Sequence, residues 1–153
     1  MNQNLQSLRD GALAGLLATG AMSLVMLLGQ RVLHRGKHPP QHIVEATLHL
    51  TSGQTPKAEH ARLLALLAHF AFGATAGALF SWTRLRVARP LSPVGLGALY
   101  GLAVWAASYK GWIPALGILP PPEQDRPGRA RTMIAAHLAY GSVLGAVAGK
   151  QQG

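Results

Sequence analysis

Four stretches of this chain contain no Asp, Glu, Lys or Arg: residues 11–30, 63–83, 90–109 and 132–149. Each is close to the ~20 residues that an α-helix needs to cross ~30 Å of hydrocarbon. A soluble helical bundle places charges along its outer faces and would interrupt such windows. Only 12% of the residues are charged, against ~25% in ordinary soluble domains. The pattern predicts an all-α integral membrane protein in a single domain over residues 1–153, with spans at about 11–30, 61–82, 94–109 and 130–149.

The spans are related in pairs. His69-Phe70-Ala71-Phe72-Gly73-Ala74-Thr75-Ala76-Gly77-Ala78 and His137-Leu138-Ala139-Tyr140-Gly141-Ser142-Val143-Leu144-Gly145-Ala146 share the form H-x-A-(Phe/Tyr)-G-x-x-x-G-A. The preceding spans share Gly11-Ala12-Leu13-Ala14-Gly15 and Gly97-Ala98-Leu99-Tyr100-Gly101. The repeating unit is therefore a two-helix hairpin. Two crossings return the chain to its starting side, so the copies keep one orientation and imply a pseudo-two-fold axis along the membrane normal. In lipid, small residues every four positions mark the face where helix backbones approach each other. Gly11, Gly15, Gly73, Gly77, Gly97, Gly101, Gly141 and Gly145 are the predicted packing positions. His69 and His137 lead the glycine stripes of their own helices and should point inward with them.

The net charge of +9 falls to the loops, where it suits anionic lipid headgroups and the setting of topology. Nucleic-acid binding is not expected, because the aromatic residues sit in or beside the apolar runs rather than among the basic ones. Residues 1–8 are polar and read as frayed. In the loop of about 31–61, Pro39-Pro40 opens a short helix over 41–52 that Gly53 ends. Its apolar face suits the membrane interface. Trp82 with Arg84, Arg86 and Arg89 reads as an interfacial belt. Ile113 to Leu119 is too short to span and should pack at the interface or dip into it, before a polar Pro-rich loop over 120–129.

An ionisable side chain at membrane depth is a functional candidate, which singles out His69 and His137, with Tyr140 beside the second. Three uses are open. They are hydrogen bonding between helices, a proton or solute pathway using a group that titrates near neutrality, and bis-His ligation of one b-type haem. In the first loop, His38, His42, Glu45 and His49 have helical spacing and Zn-ligand chemistry, beside the plainer reading of a solvated polar face. Hydrolase and phosphate-binding signatures are absent: there is no Gly-x-Ser-x-Gly elbow and no Gly-rich loop ending in Lys. Ser142 lies five positions from His137 and on another face. No enzymatic activity is expected. With no Cys, disulfides and thiolate metal sites are excluded.

The layout resembles the YagU-like family of uncharacterised bacterial inner-membrane proteins. The matching pieces are the first span followed by Pro39-Pro40 and a short amphipathic segment, the intramembrane His69, the apolar Pro-ended stretch from Gly111 to Pro121, and His137-Leu138 in the last span. The resemblance implies a bacterial inner-membrane location with both termini cytoplasmic, and no established activity. The expected function is that of a structural or accessory subunit, alone as a homo-oligomer or beside a membrane-protein partner. A small transporter-like protein with an intramembrane His pathway is the alternative, and a haem protein a further one.

Overall fold

The computed structural model describes residues 2–33, 39–52, 58–84, 91–126 and 128–150, leaving aside the side chains of 32–33, 39–42, 50–52 and 58. Among the described residues there is no strand, and apart from turns over 116–126 the chain is almost wholly helical: α1 (Gln3–Leu33), α2 (Pro39–Ser52), α3 (Ala58–Arg84), α4 (Pro93–Trp105), a π-helical continuation (Ala106–Trp112), α5 (Ile113–Ala115) and α6 (Arg129–Lys150). α1, α3 and α6 are long and apolar enough to cross a membrane, by length and composition. α4 has 13 residues, about 20 Å at 1.5 Å per residue. With the π-helical turn it runs on from Pro93 to Trp112.

The interior is built from small side chains. Ala14, Ala18, Ala136 and Ala148 are almost fully buried, whereas Leu13, Leu17, Leu24 and Leu28 face outward on α1. Leucine is normally among the residues most often buried in water-soluble proteins. The inversion follows from the sequence pattern, because Gly and Ala recur every four residues and leave the leucines to the opposite face.

Close approach at glycine fixes the pairs. A Cβ on Gly15 would stand 2.3 Å from the Gly73 carbonyl oxygen, and one on Gly77 would stand 2.4 Å from that of Gly11. In the second pair, a Cβ on Gly101 would meet the His137 carbonyl at 2.2 Å and one on Gly141 would meet that of Gly97 at 2.1 Å. No side chain fits at such distances, so α1 crosses α3, and α4 crosses α6, backbone to backbone. The two crossings differ in register by a turn. Gly11 meets the carbonyl of Gly77, while its counterpart Gly97 meets the carbonyl of Gly141, with the Cα and N of Gly145 just behind it. α1 and α6 also pack together, with Gly29 against Thr132. These contacts run α1 and α4 in one direction and α3 and α6 in the other. The start of α1, the end of α3, the start of α4 and the end of α6 share one end of the bundle. The opposite end carries α2 and residues 106–126.

Three local expectations change. Residues 3–8 belong to α1 rather than fraying, and Ser7 is buried. Arg84, expected in an interfacial belt, is only 4% exposed, because the end of α3 packs beside Gly149 of α6; Arg86 and Arg89 lie outside the described residues, as does Gly53. The third of the predicted spans is not a regular α-helix to its end, since α4 widens into a π-turn that kinks at Gly111 (φ −98°, ψ −106°). The stretch from Ile113 to Leu119 turns back into the bundle. Gly117 takes φ +68°, the Ile118 N–H reaches the Ile113 carbonyl at 3.1 Å, and both Ile113 and Leu119 are buried. That left-handed glycine is the usual way to end a helical turn and reverse the chain.

Candidate functional site

His69 and His137 open onto the same cavity, of about 90 Å³. It lies in the half of the bundle that carries α2. α1 contributes Thr19, α2 contributes Ile43, and α6 contributes Tyr140. His137 is buried, and its Nδ1 lies 2.8 Å from the Met133 carbonyl one turn earlier. A carbonyl only accepts, so Nδ1 carries the proton, and in the neutral ring Nε2 keeps the lone pair. His69 is half-buried on α3, its ring edge-on to Phe70.

The π-turn brings two further residues to this cavity, Ser108 and Tyr109. An inserted π-turn rotates the following residues relative to the preceding helix and is common at functional sites. Ser108 is held by donating to the Val104 carbonyl at 2.7 Å. Tyr109 donates to the Asp125 carboxylate. Asp125 also pairs with Arg129 at 2.9 Å, with side-chain exposures of 1% and 9%, and accepts from the Arg126 N–H at 2.6 Å. This buried network ties the π-turn to the start of α6 at the cavity's end of the bundle. Outside it, Lys110 pairs with Glu123 at 3.2 Å in the open. The Glu123 carboxyl is held below the usual carboxylate range by its own backbone N–H and then by Lys110.

Tyr140 lines the cavity but directs its hydroxyl to the Gly73 carbonyl at 2.7 Å. The counterpart of Tyr140 in the first hairpin, Phe72, is 50% exposed while still touching the cavity. The eight glycines named from the repeat are buried between helices. A cavity of about 90 Å³ is far below the ~300–1,000 Å³ of sites for drug-sized ligands, so a porphyrin does not fit between His69 and His137. Of the residues suggested as Zn ligands, His38 and the side chain of His42 lie outside the described residues, Glu45 is half-buried and His49 is exposed. Among the described residues no three His, Asp or Glu side chains gather as a metal group.

Sequence reasoning passed over Asp125 and Arg129 because they lie around a Pro-rich polar loop. Their spacing of four across the start of α6 was the available signal. It also passed over Met22, Met26 and Met133, which read as ordinary apolar residues yet all line the cavity.

A family profile described as "Family of unknown function (DUF6789)" matches residues 5–153, and the chain belongs to that family. The match names neither the YagU-like proteins nor a bacterial source. No curated protein and no solved structure matches the chain.

Proposed function

We propose that the protein is a multi-pass membrane protein of four crossings whose interior cavity takes up a small polar or cationic solute, a transporter-like role rather than an enzymatic one. One observation carries this reading: the two histidines that occupy matching places in the repeat open onto a single cavity. Two unrelated packing histidines would have no reason to converge. The outward leucines support residence in lipid, and the close glycine crossings present in both hairpins, though one turn apart in register, support a parallel repeat. The resemblance to YagU-like proteins supports the bacterial inner membrane. At the other end of the bundle the glycine crossings bring backbones together, so passage through the protein requires the helix pairs to rock apart around the cavity, as in other repeat-built transporters.

The test is flux in proteoliposomes loaded with a pH-sensitive dye, with and without an imposed potential. His69→Ala and His137→Ala should each abolish the flux while helicity and elution in detergent stay unchanged. Retained flux in both variants removes the proposal.

A structural or accessory role is the second reading, favoured by the exposed face of α3. Only 28% of its most apolar window is buried within the chain, against 50% for α6. Leu63, Leu66 and Leu67 lie on that open surface. Co-purification of a membrane-protein partner or a stable homo-oligomer by native mass, together with histidine variants that only loosen packing, would decide for it.

A further inference from the structure

The chain has four methionines. Apart from Met1, all of them line the cavity of His69 and His137: Met22 and Met26 from α1, and Met133 from α6. Each is buried, with exposures of 8%, 6% and 4%. The positions are paired. Met22 and Met26 are four apart on one helix face, as are Met133 and His137 on another. We propose that this cavity binds a soft monovalent metal cation, Cu(I) in its chemical class, through the thioethers of these three methionines and the imidazoles of His137 and His69. The proposal rests on the reading of the cavity as a solute site and names the solute.

The donor set decides the class of ion. Thioether and imidazole are soft and borderline ligands that select Cu(I), whereas Mg²⁺ and Ca²⁺ need carboxylate, carbonyl and water oxygens. No Asp or Glu lines the cavity, so a divalent ion would enter an apolar interior without a countercharge, at a large desolvation cost. A single positive charge shared among polarisable sulfurs asks least of that interior. The arrangement of His137 fits as well. Metal-ligating histidines commonly donate their second ring N–H to a backbone carbonyl, which fixes the tautomer. The Nδ1 contact to the Met133 carbonyl does this and leaves Nε2 as the donor to a metal.

The plain alternative is that methionine fills irregular gaps in a core of small residues. The full-length protein in mild detergent separates the two. It would be titrated anaerobically with Cu(I), kept reduced by ascorbate, against a chromogenic Cu(I) chelator, and its X-ray absorption recorded. One equivalent should bind, with sulfur in the coordination shell. The double variant Met22→Leu/Met26→Leu conserves volume and should fold. It should weaken binding at least tenfold and lose sulfur scattering, with unchanged helicity and elution. Absence of stoichiometric Cu(I) uptake by the unaltered protein overturns the proposal, as does a double variant that binds equally well. Zn(II) binding as tight as that of Cu(I) overturns the soft-cation assignment by showing an imidazole-only site. In either case histidine-dependent proton flux, measured separately, still decides the broader reading of the cavity.

Discussion

The hydroxyl of Tyr140 on α6 donates to the carbonyl of Gly73 on α3 across 2.7 Å of buried space. It joins the two hairpins at the glycine that lets α1 and α3 touch. Tyr100 does the same one turn away, donating to the Ala76 carbonyl at 2.8 Å. Both acceptors lie within α3 and both donors come from the second hairpin. Phe72, the counterpart of Tyr140, has no hydroxyl to return the bond, so the coupling is one-sided.

Tyr140→Phe should therefore weaken the association of the hairpins without changing either one. Hydrogen bonds between membrane helices contribute about 0.6 kcal/mol on average and up to about 1.7 kcal/mol. A loss of about 1 kcal/mol is expected in reversible unfolding from mixed micelles. A double cycle with Tyr100→Phe should show additive losses if each bond acts on its own acceptor. No change on removing both hydroxyls would mean that packing alone holds the hairpins together.

Glycine should be required only where backbones meet. Gly15→Ala and Gly141→Ala place a methyl against backbone oxygens at 2.3 and 2.1 Å. Overpacking of this kind commonly costs about 1–3 kcal/mol, occasionally more, and here the obstructing atoms belong to a helix rather than a mobile side chain. Gly20 has nothing within 4 Å of a Cβ. Gly20→Ala should be neutral or stabilise slightly, by about 0.4–1 kcal/mol through the unfolded chain. Larger residues sharpen the contrast: Gly73→Leu and Gly141→Leu should block assembly. Equal tolerance at Gly15, Gly141 and Gly20 would refute the close crossings.

Asp125 should be worth more than its place in a Pro-rich loop suggests. Its side chain is 1% exposed and takes Arg129, Tyr109 and a backbone N–H. Asp125→Asn leaves the Arg129 guanidinium buried without its countercharge, and breaking one half of a buried pair typically costs about 3–5 kcal/mol. Tyr109→Phe removes a single bond and should cost less. Thermal unfolding in detergent should rank the two in that order, and cysteine accessibility near Ser108 should rise in the first variant as the π-turn loosens. If Asp125→Asn melts like the unaltered protein, the network does not anchor the π-turn.

The long helices were legible because their determinants are local. A charge-free window and a four-residue glycine period are each written within one span. The inward face of α6 was legible for the same reason, since Gly141 and Gly145 mark it and His137 shares it. What was not legible depends on residues distant in sequence. Nothing in Ala106 to Trp112 announces a π-turn, because an extra residue per turn is stabilised by what it reaches, here Asp125 sixteen residues away. Asp125 itself looks solvated by composition and becomes buried only when α6 and the π-turn meet around it. The methionines carry no pattern of their own. Their convergence requires α1 and α6 to pack against each other, which no single span encodes.

The sides on which the ends of the bundle lie give the last test, and it bears on the weakest span. α4 alone is short for a bilayer and is not among the three helices long and apolar enough to cross one, so the proposed fourth crossing needs the π-turn that extends α4 to Trp112. The direction of the helices places Asn4 and Leu91 at one end and Gln124 at the other, all three exposed. The chain has no native cysteine to give background. Single cysteines at positions 4, 91 and 124 should react with a membrane-impermeant maleimide as two groups. Asn4→Cys and Leu91→Cys should label from the same side, and Gln124→Cys only from the opposite one. In inverted vesicles the first two should be the reactive ones, if the termini face the cytoplasm. Labelling of Leu91→Cys and Gln124→Cys from one side would show that the segment from Pro93 to Trp112 does not cross. The second hairpin would then have a single span, and the parallel repeat would fail with it.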